Sequence, residues 1–347
     1  MKLFYSILLS LLPFTFQAEL IDTFYGPIDV EEPVLLELIA SPGFQRLKQV
    51  RQYGVSYYIT HNEEYNRYDH SIGVLALLRD KKVPLKEQIA GLLHDVSHTA
   101  FSHVGDYLFP QDNDDSDYQT SVHEKFLEER GFGEILRKYD YKVGEMLPLE
   151  KSFPALEQPL PNLCADRIDY NIQGAYHQGF LTLEEAKEIF SDLQFIEGRW
   201  VGSNMKLMKK LSLFSLFMTR DCWGSATNFL ASRLLAEALK EGLDLGLISL
   251  EDIQFGTDQI IWDCLMKSDN AFIKKTMNQL LTVKNSYHIV DIVESDLTIK
   301  SKFRGIDPWI IQEGKKARLT YLDPAYATQY EEVKGQMEQG WFIRFIK

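Results

Sequence analysis

Seven of the eight histidines fall between positions 61 and 177, and the densest chemistry lies in residues 67–123. It begins with Arg67-Tyr68-Asp69-His70 and continues through His94-Asp95-Val96-Ser97-His98 to His103. A buried imidazole beside a carboxylate is costly unless something pairs them. A divalent metal does so, since it takes neutral imidazole and carboxylate oxygen together. Read as one helix, the spacing of four puts His94 and His98 on one face, addressing one site. Asp166 adds a later carboxylate, with Asp169 and Tyr170 about one turn along. Singly, each histidine reads as a packed structural residue. Together they point to a metal centre.

Such side chains need rigid carriers, and the surrounding periodicity supplies helices. Residues 32–52 carry apolar residues at helical spacing, broken at Ser41-Pro42-Gly43. His70–Arg79 reads as a buried helix, and Leu85–His98 as another with the stripe Ile89, Leu92, Leu93 and Val96. Leu163–Tyr176 and Leu183–Phe190 follow, then one or two long helices over Leu211–Leu239. Gln111–Asp117 is an acidic loop. Near the end the period changes: Ser286–Ile299 and Trp341–Ile346 favour β-branched and aromatic residues with partial alternation, which suits strands. Turn residues punctuate the stretch between them. The expected class is mainly α, with a core over residues 19–283 and a small β-rich unit over residues 284–347.

The chain has 347 residues, with Lys+Arg 37 against Asp+Glu 50 and a net charge of -13. An acidic chain lays no long basic footprint on nucleic acid, so a dedicated nucleic-acid reader is not expected. Three scattered cysteines make neither a disulfide framework nor a zinc ribbon. Residues 1–18 have the short basic start and apolar core of a signal peptide, although Phe16 is bulky where a small residue is preferred. Export to the periplasm or medium is therefore expected, with a cytoplasmic chain as the alternative. No later apolar run is long enough to span a membrane.

His70, the pair His94-Asp95 and Asp166 resemble the H…HD…D signature of the HD-domain metal-dependent phosphohydrolases. The resemblance is closer to the dNTP triphosphohydrolase branch, which includes the dGTPases and the SAM-and-HD-domain enzyme. It is carried by Tyr25-Gly26-Pro27-Ile28, Phe44-Gln45-Arg46-Leu47, residues 66–71, residues 94–103, and Ala165-Asp166-Arg167-Ile168-Asp169-Tyr170. It implies one divalent transition metal (iron, manganese, nickel or zinc, with magnesium as a further option) held by His70, His94, Asp95 and Asp166. It also implies proton transfer by His98 and His123, with Asp106 orienting or sharing a proton. Substrate contacts would fall to Arg67, Arg167 and His103 on phosphate, Gln52 on the sugar, and Tyr170 along the lining. The relatives assemble as oligomers, so a homo-oligomer is an expectation here.

Three positions depart from that branch. Gly174 stands where it usually places an aspartate on the sugar hydroxyl, and Tyr53 replaces a smaller aliphatic residue. Its Tyr-x-His-Lys block aligns with Cys222-Trp223-Gly224-Ser225. The expected activity is hydrolysis of a nucleotide, dNTP to deoxynucleoside and triphosphate among the options, or of a related phosphate ester. The alternatives are a catalytically silent HD-fold nucleotide-binding or scaffold module, and a two-iron oxygenase that recruits His98 and His123.

Overall fold

The computed structural model describes residues 18–60, 65–109, 117–149 and 151–346. The expected signal peptide lies outside them apart from Ala18, as does the acidic loop apart from Asp117. Eight of the helices carry the site and its supports: α1 (Arg67–Asp80), α2 (Leu85–Leu93), α3 (Tyr118–Glu129), α4 (Ala165–His177), α5 (Met205–Phe217), α6 (Ala226–Asp244), α7 (Asp258–Lys267) and α8 (Pro324–Gln339). The chain is mainly helical, with small sheets.

Helix α1 is the central rod. Asn66 caps it by accepting from the Asp69 amide at 2.9 Å, and every residue from His70 to Leu78 is buried. A helix apolar all round belongs inside, and α1 packs against α2 on one side and α4 on another. Three apolar clusters build the core, and α1 contributes residues to two of them. One gathers α4, α5 and α8 around Ile168, Phe214 and Tyr326; one lies beneath α6 and α7; one joins the N-terminal segment to α2 through Leu35, Phe44 and Leu92. Among the described residues, no helix is long and apolar enough to cross a membrane.

The strands β1 (Glu19–Ile21) and β2 (Ile28–Val30) form a hairpin. A second sheet has the order β3 (Gln194–Ile196), β4 (Arg199–Gly202), β7 (Trp309–Gln312), β8 (Lys315–Arg318), with β4 and β7 parallel. The third has the order β5 (Tyr287–Ile289), β9 (Trp341–Phe345), β6 (Leu297–Ile299). The strands expected at 286–299 and 341–346 are these three, separated by a 3-10 turn at Ile292–Glu294. The stretch between, expected as turns, contains α8, which starts at Pro324 and is capped by Asp323 accepting from the Tyr326 amide at 2.9 Å. Its buried face is only Tyr326, Val333 and Met337, too sparse to show as a period. The run Leu211–Leu239 is split between α5 and α6 by a π-helical turn at Met218–Cys222.

Candidate metal centre

The site is assembled around α1. His70 projects from its first turns and is fully buried. Its Nδ1 lies 2.7 Å from Asp169 Oδ2 on α4, and Asp169 in turn accepts from Tyr25 Oη at 2.8 Å and from Gln173 Nε2. A glycine makes this approach possible: a Cβ at Gly73 would lie 2.0 Å from Asp169 Oδ1. The imidazole therefore donates from Nδ1 to a carboxylate, leaving the Nε2 lone pair free to ligate.

The second histidine arrives differently. Helix α2 ends at Leu93, so the helix expected to run to His98 stops one residue before the ligand pair. His94 to Ser97 form turns, and the His98 amide donates to the Asp95 carbonyl at 3.1 Å, so His98 reaches the site from a turn rather than from a helical face shared with His94. His94 Nδ1 donates to the Gly91 carbonyl at 2.7 Å, which again leaves Nε2 free. Arg46 holds this turn from outside, donating to the carbonyls of His98 at 2.5 Å and Val96 at 3.1 Å. Farther along, Phe101 and Ser102 sit in the left-handed region at φ 59° and 54°, a conformation that persists only where neighbours impose it. Buried Asp258 does so, accepting from the Phe101 amide at 2.8 Å and the Arg51 amide at 2.9 Å.

Four donor groups converge on one point. His70 Nε2 and His94 Nε2 are 3.2 Å apart, and Asp166 Oδ1 lies 3.0 Å from the first and 3.5 Å from the second. Asp95 Oδ2 is 3.5 Å from His70 Nε2, and Asp95 Oδ1 is 3.5 Å from His94 Nε2. With both Nδ1 atoms committed as donors, two imidazole lone pairs and two carboxylates face each other. Such a set of donors needs a cation, supplied either by protons on the imidazoles or by one divalent ion with nitrogen and oxygen ligands, which it fits. The field is visible in the pKa values. Burial alone would lower His70, but Asp166 and Asp169 raise it to about 10. Burial would raise Asp95, yet Arg67 and His94 hold it well below the carboxylate range.

The remaining expected residues are placed as follows. Arg67 is 2 % exposed, ion-paired with Asp95, and donates to Ser102 Oγ at 2.8 Å and the Gln52 carbonyl at 3.5 Å. Arg167 donates to the carbonyls of Asn162 at 2.5 Å and Gln158 at 3.2 Å. Both arginines expected on phosphate thus have protein partners. His98 Nε2 lies 3.2 Å from Asp95 Oδ1, and burial and Arg67 push its imidazole down to about 4. His123, buried on α3, meets Ser97 Oγ at 2.7 Å through Nδ1, and burial and His94 push it down to about 4. His98 Nδ1 and His123 Nε2 are buried without partners among the described residues, as is Gln52 Oε1. Exposed His103 sits edge-on to His98 with ring centres 5.0 Å apart, and its Nδ1 is 3.4 Å from Asp106 Oδ2. Asp106 Oδ1 accepts from the Tyr118 amide at 2.8 Å, so Asp106 joins His103 to the start of α3. Tyr170 stands edge-on to Trp223 at 5.7 Å.

Several supporting residues had no assigned role in the sequence reading: Asp169 and Tyr25 behind His70, Ser97 behind His123, and Asp258 beneath Phe101. Asp169 stands one turn past Asp166 and Tyr25 lies in a block that carries the resemblance, but these are long-range partners and nothing local tells which side chain each will meet. Glu157 was also missed. Its carboxylate, the Cys164 thiol and Asp166 bring donor atoms within 4.8 Å of one another, and burial with Asp166 nearby pushes Glu157 up to about 8.

No family model matches the chain. Protein YdhJ of Bacillus subtilis is 32% identical over 330 residues, covering 95% of this chain and 99% of that protein. The metal-dependent phosphohydrolase cns2 of Cordyceps militaris is 28% identical over 323 residues, covering 90% of each. The deoxynucleoside triphosphate triphosphohydrolase SAMHD1 of Xenopus laevis is 37% identical over 103 residues, 25% of this chain and 16% of that one. The fold is shared with a crystallised phosphohydrolase of Bacteroides thetaiotaomicron, at a TM-score of 0.65 and 17% identity over 88% of this chain and 95% of that one. With paired histidines and aspartates gathered at one buried point and relatives matched along nearly its whole length, the chain belongs to the HD-domain metal-dependent phosphohydrolases.

Proposed function

We propose that this protein hydrolyses a nucleotide or a related phosphate ester at the centre formed by His70, His94, Asp95 and Asp166. The observation that carries the reading is the pair of Nε2 atoms 3.2 Å apart, each with its Nδ1 already bonded, between two carboxylates. A divalent ion bound there supplies phosphoryl polarisation and a water of lowered pKa. The chain's own residues do the rest. His98 and His123 each keep a buried ring nitrogen without a partner among the described residues, and these are the imidazoles assigned here to proton transfer. Asp106 orients His103 at the open side. Gln52 and Tyr170 line the approach, and Arg67 fixes Asp95.

Hydrolysis of a dNTP to triphosphate is the narrower form of this reading. It is supported by the similarity to SAMHD1 over 103 residues and opposed by Gly174, Tyr53 and the 222–225 segment. The test is metal quantification followed by a phosphate-ester and nucleotide panel, with phosphate and triphosphate scored separately. Turnover that disappears in His94→Ala is expected. A protein loaded in turn with iron, manganese, nickel, zinc and magnesium that turns over no ester would leave the catalytically silent binding module instead.

A further inference from the structure

Two departures in the sequence, Tyr53 and Gly174, are one feature in space. Asp166, Tyr170 and Gly174 follow each other at intervals of four along α4, so they share one face. At 1.5 Å per residue, Gly174 lies about 12 Å along the axis from the ligand Asp166. A Cβ built at Gly174 would meet Tyr53 Oη at 2.3 Å, nearer than the ring of Phe214 at 3.2 Å. The end of the Tyr53 side chain therefore occupies the space that any residue other than glycine would need.

Tyr53 is held there from both sides. It follows Gln52, whose carbonyl faces Arg67. Its ring meets that of Tyr65 edge-on at 5.9 Å, and Tyr65 donates to the Tyr170 carbonyl at 3.2 Å. Between Asp166 and Tyr53 the half-buried Tyr170 stands against Trp223. Gln52 Oε1 and Trp223 Nε1, an acceptor and a donor, are buried without partners among the described residues. Both residues adjoin the same wall, Gln52 directly preceding Tyr53 in the chain and Trp223 packing edge-on against Tyr170.

We infer that Tyr53 is a specificity-determining residue that closes the far end of the substrate cleft over Gly174, restricting the site to phosphate monoesters of compact organic groups. This rests on the hydrolase reading above. A linear pair of probes reads length directly: phenyl phosphate against 4-biphenylyl phosphate, with the matching non-hydrolysable phosphonates for binding by calorimetry. Wild type should favour the phenyl compound at least tenfold in kcat/KM and in phosphonate Kd. Tyr53→Ala should shift that ratio at least tenfold toward the biphenyl compound, mainly through KM. An unchanged ratio in both measurements overturns the proposal. If neither ester is turned over but the phosphonate ratio shifts, the wall stands and the hydrolase reading fails.

A stability cycle tests the contact without catalysis. Gly174→Ala should lower Tm in wild type and lower it much less in Tyr53→Ala, because the clashing oxygen is gone. Additive changes in Tm would mean that Tyr53 does not fill this space.

Discussion

The Nδ1 of His70 lies 2.7 Å from Oδ2 of Asp169, and both side chains are fully buried. The pair is closed off by Tyr25, which donates to the other carboxylate oxygen at 2.8 Å. An outer carboxylate of this kind fixes the tautomer and orientation of a ligating imidazole and raises its basicity. Asp169→Asn should therefore weaken metal affinity by about 10–100-fold while leaving the four ligands in place. Competition with a chelating dye measures this, and an unchanged affinity would show that Asp169 only packs.

Gly73 gives a test with an informative sign. Replacing a helix-interior glycine by alanine ordinarily stabilises by about 0.4–1 kcal/mol. Here the new Cβ would stand 2.0 Å from Asp169 Oδ1, forcing α1 and α4 apart. Gly73→Ala should instead destabilise by about 1–3 kcal/mol, as overpacked cores do, and lower metal affinity with it. Denaturant unfolding decides the direction.

Arg67 separates positioning from phosphate binding. Buried and ion-paired with Asp95, it is the permanent charge beside a carboxylate whose other neighbours are imidazoles. Arg67→Ala should cost about 3–5 kcal/mol in the metal-free protein. A residue that only grips substrate would raise KM and leave stability nearly unchanged, so equilibrium unfolding distinguishes the two.

Acid sensitivity should come from His98 and His123. Burial, with Arg67 beside one and His94 near the other, holds both at about 4 against an ordinary 6.5. Between those values the unfolded chain binds protons that the native chain does not. Stability is therefore fully present above pH 6.5 and is lost as the pH falls toward 4, by on the order of 3 kcal/mol per imidazole. In metal-free protein, His123→Gln should flatten the dependence of the urea midpoint on pH in this window. An identical slope would place the acid-sensitive group elsewhere.

Metal loading should also appear as stability. An ion that binds only the native state adds about 2.7 kcal/mol at a concentration one hundred times its Kd. Chelation should lower Tm accordingly. His94→Ala or Asp95→Ala should make Tm insensitive to metal, whereas a response equal to that of wild type would put the ion at another site.

Much of this is legible in the sequence, for physical reasons that differ by element. Helix α1 announces itself through an unbroken apolar run, and the ligands through residue types rarely buried without a partner. The helical continuation to His98 was not borne out, because apolar Val96 extends the stripe of α2 while the chain has already turned. Helix α8 was missed because only three of its residues face the core.

From the sequence alone follow the ligand types, the HD resemblance and the mainly helical class, since these depend on local pattern and residue chemistry. The partners that make the site work are another matter. That Asp169 reaches His70 past a bare glycine, that Arg67 is consumed by Asp95, and that Tyr53 fills the gap over Gly174 are contacts between residues 28 to 121 positions apart. Only packing brings such residues together, and no local periodicity encodes which of them will meet.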